Sequence, residues 1–394
     1  MLITRIAEKE LKSLAGQFKS VAVIGPRQSG KTTLVRMAFP DKAYVSLENP
    51  DTRRFAIEDP RGFIATYPNG AILDEIQRTP DIFSYLQQVL DENQGKGRFI
   101  LTGSNNFLLQ ENISQSLAGR VGYLYLLPLA INELPGDTPG ELPGKRLSAN
   151  ELMHKGFYPS LYREEEQIDV GKYYTNYIRT YTERDVRMIR NVTDLYTFER
   201  FLRLCAGRIG QLLNMNNLAV ETGVDNKTIG AWLSVLEASF VVFRLQPYHK
   251  NFNKRIVKMP KLYFYDTGVA SALLGIENAA QMALHPFRGS LFENMVIVNF
   301  LKSRYNRGKT NNLYFWRDSL GTEVDLIVEE SDTLLPIVIK SGQTITEDYF
   351  KSISSWLKIS GMKKGWVIYA GDERQDRSNG ITVLPLAQMS TAYS

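Results

Sequence analysis

Eight residues near the amino terminus, Gly25-Pro26-Arg27-Gln28-Ser29-Gly30-Lys31-Thr32, satisfy every constrained position of G-x-x-x-x-G-K-[ST]. Glycines at that spacing let the backbone wrap closely around a polyphosphate, with its N–H groups and the next helix N-terminus facing the anion. Lys31 would reach the β- and γ-phosphates and the Thr32 hydroxyl would ligate magnesium. The run from Gly25 to Thr33 is the candidate nucleotide-binding set. Such a loop requires an acid at the tip of another buried strand, and GAILDEIQ supplies two. Asp74 would hold Mg2+ through its water shell, and Glu75 is placed to polarise an attacking water. Thr102, Ser104 and Asn105, at the end of FILTGSN, could sense the γ-phosphate or orient that water. Arg120, just before VGYLYLLPL, is a candidate charge-neutralising arginine, acting in cis or toward a neighbour.

These groups need a scaffold. From 1 to about 130, short β-rich runs (VAVIG, KAYVSLE, AILDEI, RFILTGS) alternate with amphipathic segments (KTTLVRMAF, PDIFSYLQQVLDEN). That alternation predicts an α/β parallel sheet with helices on both faces. A Pro- and Gly-rich segment, INELPGDTPGELPGKRLSANE, then predicts a boundary near 145. Residues 150–240 read as helical, and from 286 the pattern returns to helix and strands. The expectation is three parts: 1–145, 146–285 and 286–394.

Composition excludes several classes. With 394 residues, 43% hydrophobic and 23% charged, the chain is long enough for several cores and has the balance of a soluble protein. No apolar run approaches the roughly 18 residues that span a bilayer, and the charged start MLITRIAEKELKSLAG is not a signal peptide, so a cytoplasmic location without membrane contact is expected. A lone cysteine, Cys205, excludes intrachain disulfides, and three histidines argue against a His-built zinc centre. The net charge of +5 permits nucleic-acid contact without demanding it.

With these residues in view, a resemblance enters. GPRQSGKTTL, YVSLENPDTRRFA, ILDEIQ, LTGSNNFLL and SLAGRV with LPL resemble a large group of bacterial and archaeal AAA-family P-loop ATPases that carry a C-terminal domain of unknown function. TYTERDVR, KLYFYDTGVASALLG, GSLFEN and YFWRDSLGTEVDLIV match the later motifs, so the resemblance covers nearly the whole chain. It implies ATP and Mg2+ as ligands and Lys31, Thr32, Asp74 and Glu75 as the ATPase residues. It implies little about biological role.

The middle stretch resembles a helix-turn-helix in a winged-helix fold: a short helix Leu218–Thr222, a turn at Gly223, and Asp225 capping a helix from Asn226 to about Glu237. A hairpin from Phe240 to about Tyr265 would form the wing. Between 244 and 261 it carries Arg244, Lys250, Lys254, Arg255, Lys258 and Lys261 and no acid. Such a wing could lie along phosphates while Lys227 and Thr228 enter a groove, which makes 211–261 the candidate contact with DNA or RNA.

The C-terminal order of Glu293 on a helix, Asp325 on a strand and Lys340 ending the next strand is similar to the restriction-endonuclease-like fold. That pattern wants Glu two residues before the lysine, and this chain has Val338. Valine cannot ligate a metal, so an inactive scaffold that binds nucleic acid or a protein partner is expected. Glu329 or Glu330 could compensate by reaching the site. Trp316 and Arg317 are equally readable as packing residues. The overall expectation is Mg-dependent ATP hydrolysis coupled to the rear modules. The alternatives are an ATP-driven nuclease and a slow ATP-binding switch, with an oligomer permitted.

Overall fold

The computed structural model describes residues 3–92, 94–104, 113, 116–135, 146–163, 168–182, 194–248 and 257–392. Asn105, the Pro- and Gly-rich stretch 136–145, and Lys250, Lys254 and Arg255 lie outside them.

Helix α1 (Ala7–Gln17) buries Ala7, Leu11 and Leu14 as a single stripe, and β1 (Ser20–Ile24) follows it, buried along its whole length. A strand apolar on both faces belongs in the middle of a parallel sheet covered on both sides. It sits there. β2 (Ala43–Ser46), β3 (Ala71–Asp74), β4 (Phe99–Gly103) and β5 (Val121–Tyr125) join it in the order β2-β3-β4-β1-β5, every pairing parallel. The crossovers use α2 (Lys31–Ala38), α3 (Pro50–Glu58), α4 (Pro60–Ala65) and α5 (Ile82–Glu92). Local chemistry sets their starts: Asn49 and Asp59 cap α3 and α4 through side-chain oxygens, with proline at the first position of each. The first third is thus an α/β P-loop fold, as the alternation predicts.

The middle is helical: α6 (Ala149–Lys155), α7 (Val170–Thr180), α8 (Leu195–Ala206), α9 (Met215–Thr222) and α10 (Asn226–Ala238). Gly223, in the left-handed region at φ 82°, ends α9, and Asp225 accepts from Thr228 N to start α10. The hairpin β6 (Val242–Pro247) and β7 (Lys261–Phe264) forms, but not as a free wing. β6 also pairs in parallel with β8 (Leu313–Arg317), so the hairpin is one edge of an eight-stranded mixed sheet. β9 (Glu323–Glu330), β10 (Thr333–Lys340), β11 (Gly365–Tyr369), β12 (Gln375–Asp376) and β13 (Ile381–Pro385) complete it in the order β12-β13-β11-β10-β9-β8-β6-β7.

Between hairpin and sheet the chain forms α11 (Thr267–Leu273), α12 (Ala279–Leu284) and α13 (Arg288–Asn306), and α14 (Lys351–Ser360) follows β10. α13 is the centrepiece. At 19 residues it is about 28 Å long, and an unbroken buried run from Asn294 to Lys302 surrounds its middle with protein on every side. Three of its buried polar groups hold neighbouring backbone. Asn294 exchanges two hydrogen bonds with Phe264 of β7, Asn299 Oδ1 accepts from Ile131 N at 2.8 Å, and Lys302 Nζ donates to Leu129 O at 2.8 Å. One apolar cluster consequently runs from Ala22 in β1 to Met389, without a break between the three stretches.

Candidate functional site

The phosphate loop leaves β1 at the carboxyl end of the parallel sheet and enters α2. Gly25 admits no side chain, because a Cβ there would lie 2.0 Å from the Leu126 carbonyl oxygen. Gly30, at φ 92°, takes the left-handed turn into the helix. Gln28 is also left-handed at φ 62° despite its side chain, and its Oε1 accepts from the Tyr173 hydroxyl of α7. Lys31 is buried, and its ammonium donates to the loop's own Gly25 and Pro26 carbonyls at 3.0 and 2.8 Å.

β4 lies between β1 and β3, which brings the acids of β3 against the loop. Asp74 Oδ1 accepts from Thr32 Oγ1 at 3.0 Å and from Thr102 Oγ1, and Oδ2 accepts from the Tyr44 hydroxyl at 2.8 Å. Burial and this bond push the Tyr44 hydroxyl up to about 12, so it remains a donor. Glu75 sits at the strand tip at φ 57°, a left-handed conformation that is costly for a residue with a Cβ. Its Oε2 accepts from Ser104 Oγ at 3.0 Å and from Gln77 Nε2 at 2.6 Å, which fixes the carboxylate. Thr102 and Ser104 therefore hold the two acids. A cavity of about 520 Å³ opens here, lined by Arg27, Lys31, Thr32, Thr33, Asp74 and Glu75, with Arg163 contributed by the middle stretch.

The donor set suits a hard cation beside a polyphosphate: one hydroxyl and one carboxylate within hydrogen-bond distance of each other, next to a loop only glycine can build. Thr32 and Asp74 are the residues that would hold it.

Arg120 is a correction. Its carbonyl accepts from Ser20 N at the start of β1, so it lies at the amino-terminal end of the sheet. The five residues of β1 separate it from the loop, roughly 16 Å at strand rise. Its guanidinium pairs with Asp91 at 2.6 Å, and it serves no in-cis role.

Arg5 was not legible as a site residue. It is 7% exposed, donates to Ser29 O in the phosphate loop at 2.7 Å and to Leu127 O at 2.8 Å, and pairs with Glu133 at 3.1 Å. Twenty residues upstream of the motif, it carries no spacing signal. Tyr44 and Tyr173 are hidden for the same reason, whereas Gln77 follows Glu75 closely enough to have been suspected.

At the rear, the basic wing is largely spoken for among the described residues. Arg244 makes a paired contact with Glu237, and Lys261 is buried against Glu293 and Glu323. Lys227 and Lys258 are exposed. Val338 is fully buried with Tyr349, Ile353, Val367 and Tyr369, so the position two before Lys340 is core and has no use for a carboxylate. Nor do Glu329 and Glu330 compensate. They end β9 at its turn, Glu329 accepting from Tyr248 and Glu330 pairing with Arg304. The carboxylate that does join Glu293 and Asp325 is Glu323, two residues before Asp325 on β9; the three form a tight group. Burial, then Glu293, pushes the Asp325 carboxyl up to about 7 against the pull of Lys261 and Lys340.

No described helix is long and apolar enough to cross a membrane. Three family models match the chain: an AAA domain over residues 17–135, a domain of unknown function (DUF8612) over 146–280, and a domain of unknown function (DUF4143) over 288–389. Uncharacterized proteins of Mycobacterium bovis and Mycobacterium tuberculosis are each 30% identical over 399 residues, spanning 100% of this chain and 86% of theirs. An uncharacterized protein of Methanocaldococcus jannaschii is 23% identical over 420 residues, 98% of this chain and 90% of that one. Among solved structures, the Walker-type ATPase paby2304 of Pyrococcus abyssi covers 69% of this chain and 96% of its own at 15% identity and a TM-score of 0.47. Similarity along the full length, with an AAA domain at its head, places the chain in the family of these uncharacterized mycobacterial proteins, in which an AAA domain precedes two domains of unknown function.

Proposed function

We propose that the protein is a Mg-dependent ATPase whose nucleotide cycle drives its rear modules on a nucleic acid or a protein partner. The observation that carries the reading is the convergence of Thr32, Asp74 and Glu75 on one side of the phosphate loop, each with its orientation fixed by a neighbour. Bound magnesium would supply charge neutralisation between the phosphates. Lys31 exchanges the loop carbonyls for phosphate oxygens and neutralises them as negative charge develops. The loop N–H groups hold the chain of phosphates in place. Glu75 Oε1, which accepts from none of the described residues, takes the proton of a water attacking the γ-phosphate in line, while Ser104 and Gln77 keep Oε2 occupied. The left-handed backbone at Glu75 aims the carboxylate out of the strand toward the cavity.

Contact with nucleic acid would use exposed Lys227 and Lys258. ATP turnover measured alone and with duplex DNA, single-stranded DNA or RNA tests both halves. Glu75→Gln should retain ATP binding and lose about 10²- to 10⁴-fold in turnover. Wild-type turnover that is unchanged in that variant refutes the base assignment. Stimulation by none of the three nucleic acids refutes action on them and leaves a protein partner.

A further inference from the structure

Glu293 on α13 and Glu323 and Asp325 on β9 bring carboxylate oxygens within 4.8 Å of one another. Three acids at that separation repel strongly unless a cation sits among them. The fold provides one from its own chain. Lys261, on the edge strand β7 and with its side chain 3% exposed, places Nζ 3.1 Å from Glu293 Oε1 and in a shorter contact with Glu323 Oε1. Further donors to the acids also come from the protein. Tyr263 donates to Glu293, Arg317 Nη1 donates to Glu323 Oε2 at 3.2 Å, and Ile339 N donates to Asp325 Oδ2 at 2.7 Å. The face of Phe315 lies 5.5 Å from the ammonium.

We propose that Lys261 is a tethered cation that takes the place of a divalent metal in this acid cluster and keeps the C-terminal module metal-free. Its backbone cannot drift away. β7 pairs with β6, Lys261 itself bridges to Leu212, and Pro260 O accepts from Leu213 N at 2.8 Å. An ammonium attached to a pinned strand has a far higher local concentration than any ion in solution, because the entropy of bringing it there is lost once, on folding. The same contact ties the hairpin that leaves the middle stretch to the helix and strand that begin the C-terminal one. The cluster is then an ionic fastening between modules, and the acids that look like metal ligands are its anionic half.

The experiment uses the full-length chain without nucleotide, so that the phosphate loop has no polyphosphate to recruit metal, and reads Mn2+ binding by electron paramagnetic resonance. Wild type and Lys261→Arg should take up no Mn2+ at this cluster. Lys261→Met, which keeps the length and removes the charge, should gain one Mn2+ site at least tenfold tighter than any in wild type, and adding Glu323→Gln should abolish the gain. A wild-type site that Glu323→Gln removes overturns the proposal, as does a folded Lys261→Met that gains none. If Lys261→Met does not fold, the wild-type and Glu323→Gln comparison still decides, since the proposal requires that neither binds.

Discussion

Replacing Glu133 exposes what holds the phosphate loop to the rest of the molecule. The carboxylate is 2% exposed and satisfies three groups: Arg5 Nε at 3.1 Å and Ile6 N at 2.8 Å through Oε1, and Ala130 N at 2.8 Å through Oε2. Glu133→Gln keeps the shape and one acceptor but leaves the Arg5 guanidinium buried without its counter-charge. Removing one member of a buried pair costs about 3–5 kcal/mol. The surviving amide oxygen and the Ser29 and Leu127 carbonyls still accept from Arg5, so the lower end, about 3 kcal/mol, is expected. With the glutamine oxygen on the Arg5 side, Ala130 N loses its acceptor in both variants, and Glu133→Ala also orphans the Ile6 amide, which adds about 1–3 kcal/mol. Urea unfolding with an unchanged denaturant slope is the assay. Nucleotide affinity should fall alongside, because Arg5 bonds the Ser29 carbonyl within the loop. Equal costs for the two variants, or a Glu133→Gln protein within about 1 kcal/mol of wild type, would refute the reasoning.

Lys302 gives a pH signature. Burial pulls its ammonium down to about 7 despite Asp266 and Glu133, so between pH 7 and 10.5 the unfolded chain binds more protons than the folded one. Stability should therefore be penalised below pH 7 and recover as pH rises, by up to about 1.4 kcal/mol per pH unit. Lys302→Met should flatten that slope, and a slope that persists in the variant shows that another group causes it. Gly25→Ala should abolish ATP binding measured by titration, since its methyl must displace backbone at Leu126; wild-type affinity would show the loop is not so confined. Tyr44→Phe should lower turnover several-fold by releasing Asp74 Oδ2 while leaving ATP affinity near wild type. An unchanged turnover number would mean that Thr32 and Thr102 suffice.

The ATP-site half of the fold was readable because its chemistry is local in sequence. A buried strand, a glycine-bounded loop and a helix start lie within residues 20–38, and Asp74-Glu75 ends an apolar run whose sheet neighbours the alternation already implied. What escaped was contributed across the sheet or from another module. Tyr44 reaches Asp74 because β2 pairs with β3. Arg5 reaches Ser29 because α1 packs on β5, the strand beside the loop strand. Strand order is set by tertiary packing, and no spacing along the chain records it.

The C-terminal half misled for a different reason. A pattern that expects Glu two residues before Lys340 finds Val338, and the structure shows why: that side chain belongs to the apolar layer under α14, where a carboxylate would be buried without a partner. The missing acid stands on the neighbouring strand as Glu323, in EVD, two residues before Asp325. The charge run from 244 to 261 misled in parallel, since Lys261, counted toward a solvated wing, is buried and faces three acids. Both misreadings share one cause. Hairpin β6–β7 and strand β9 lie far apart in sequence, yet α13 packs against β7 and carries Glu293 to meet Lys261 and the start of β9. Charges that looked like two separate functions, basic for phosphate and acidic for metal, neutralise each other inside the protein. α13 thereby joins the two stretches: Glu293 near its start meets Lys261, while Asn299 and Lys302 farther along hold Ile131 and Leu129 just beyond the phosphate-loop sheet.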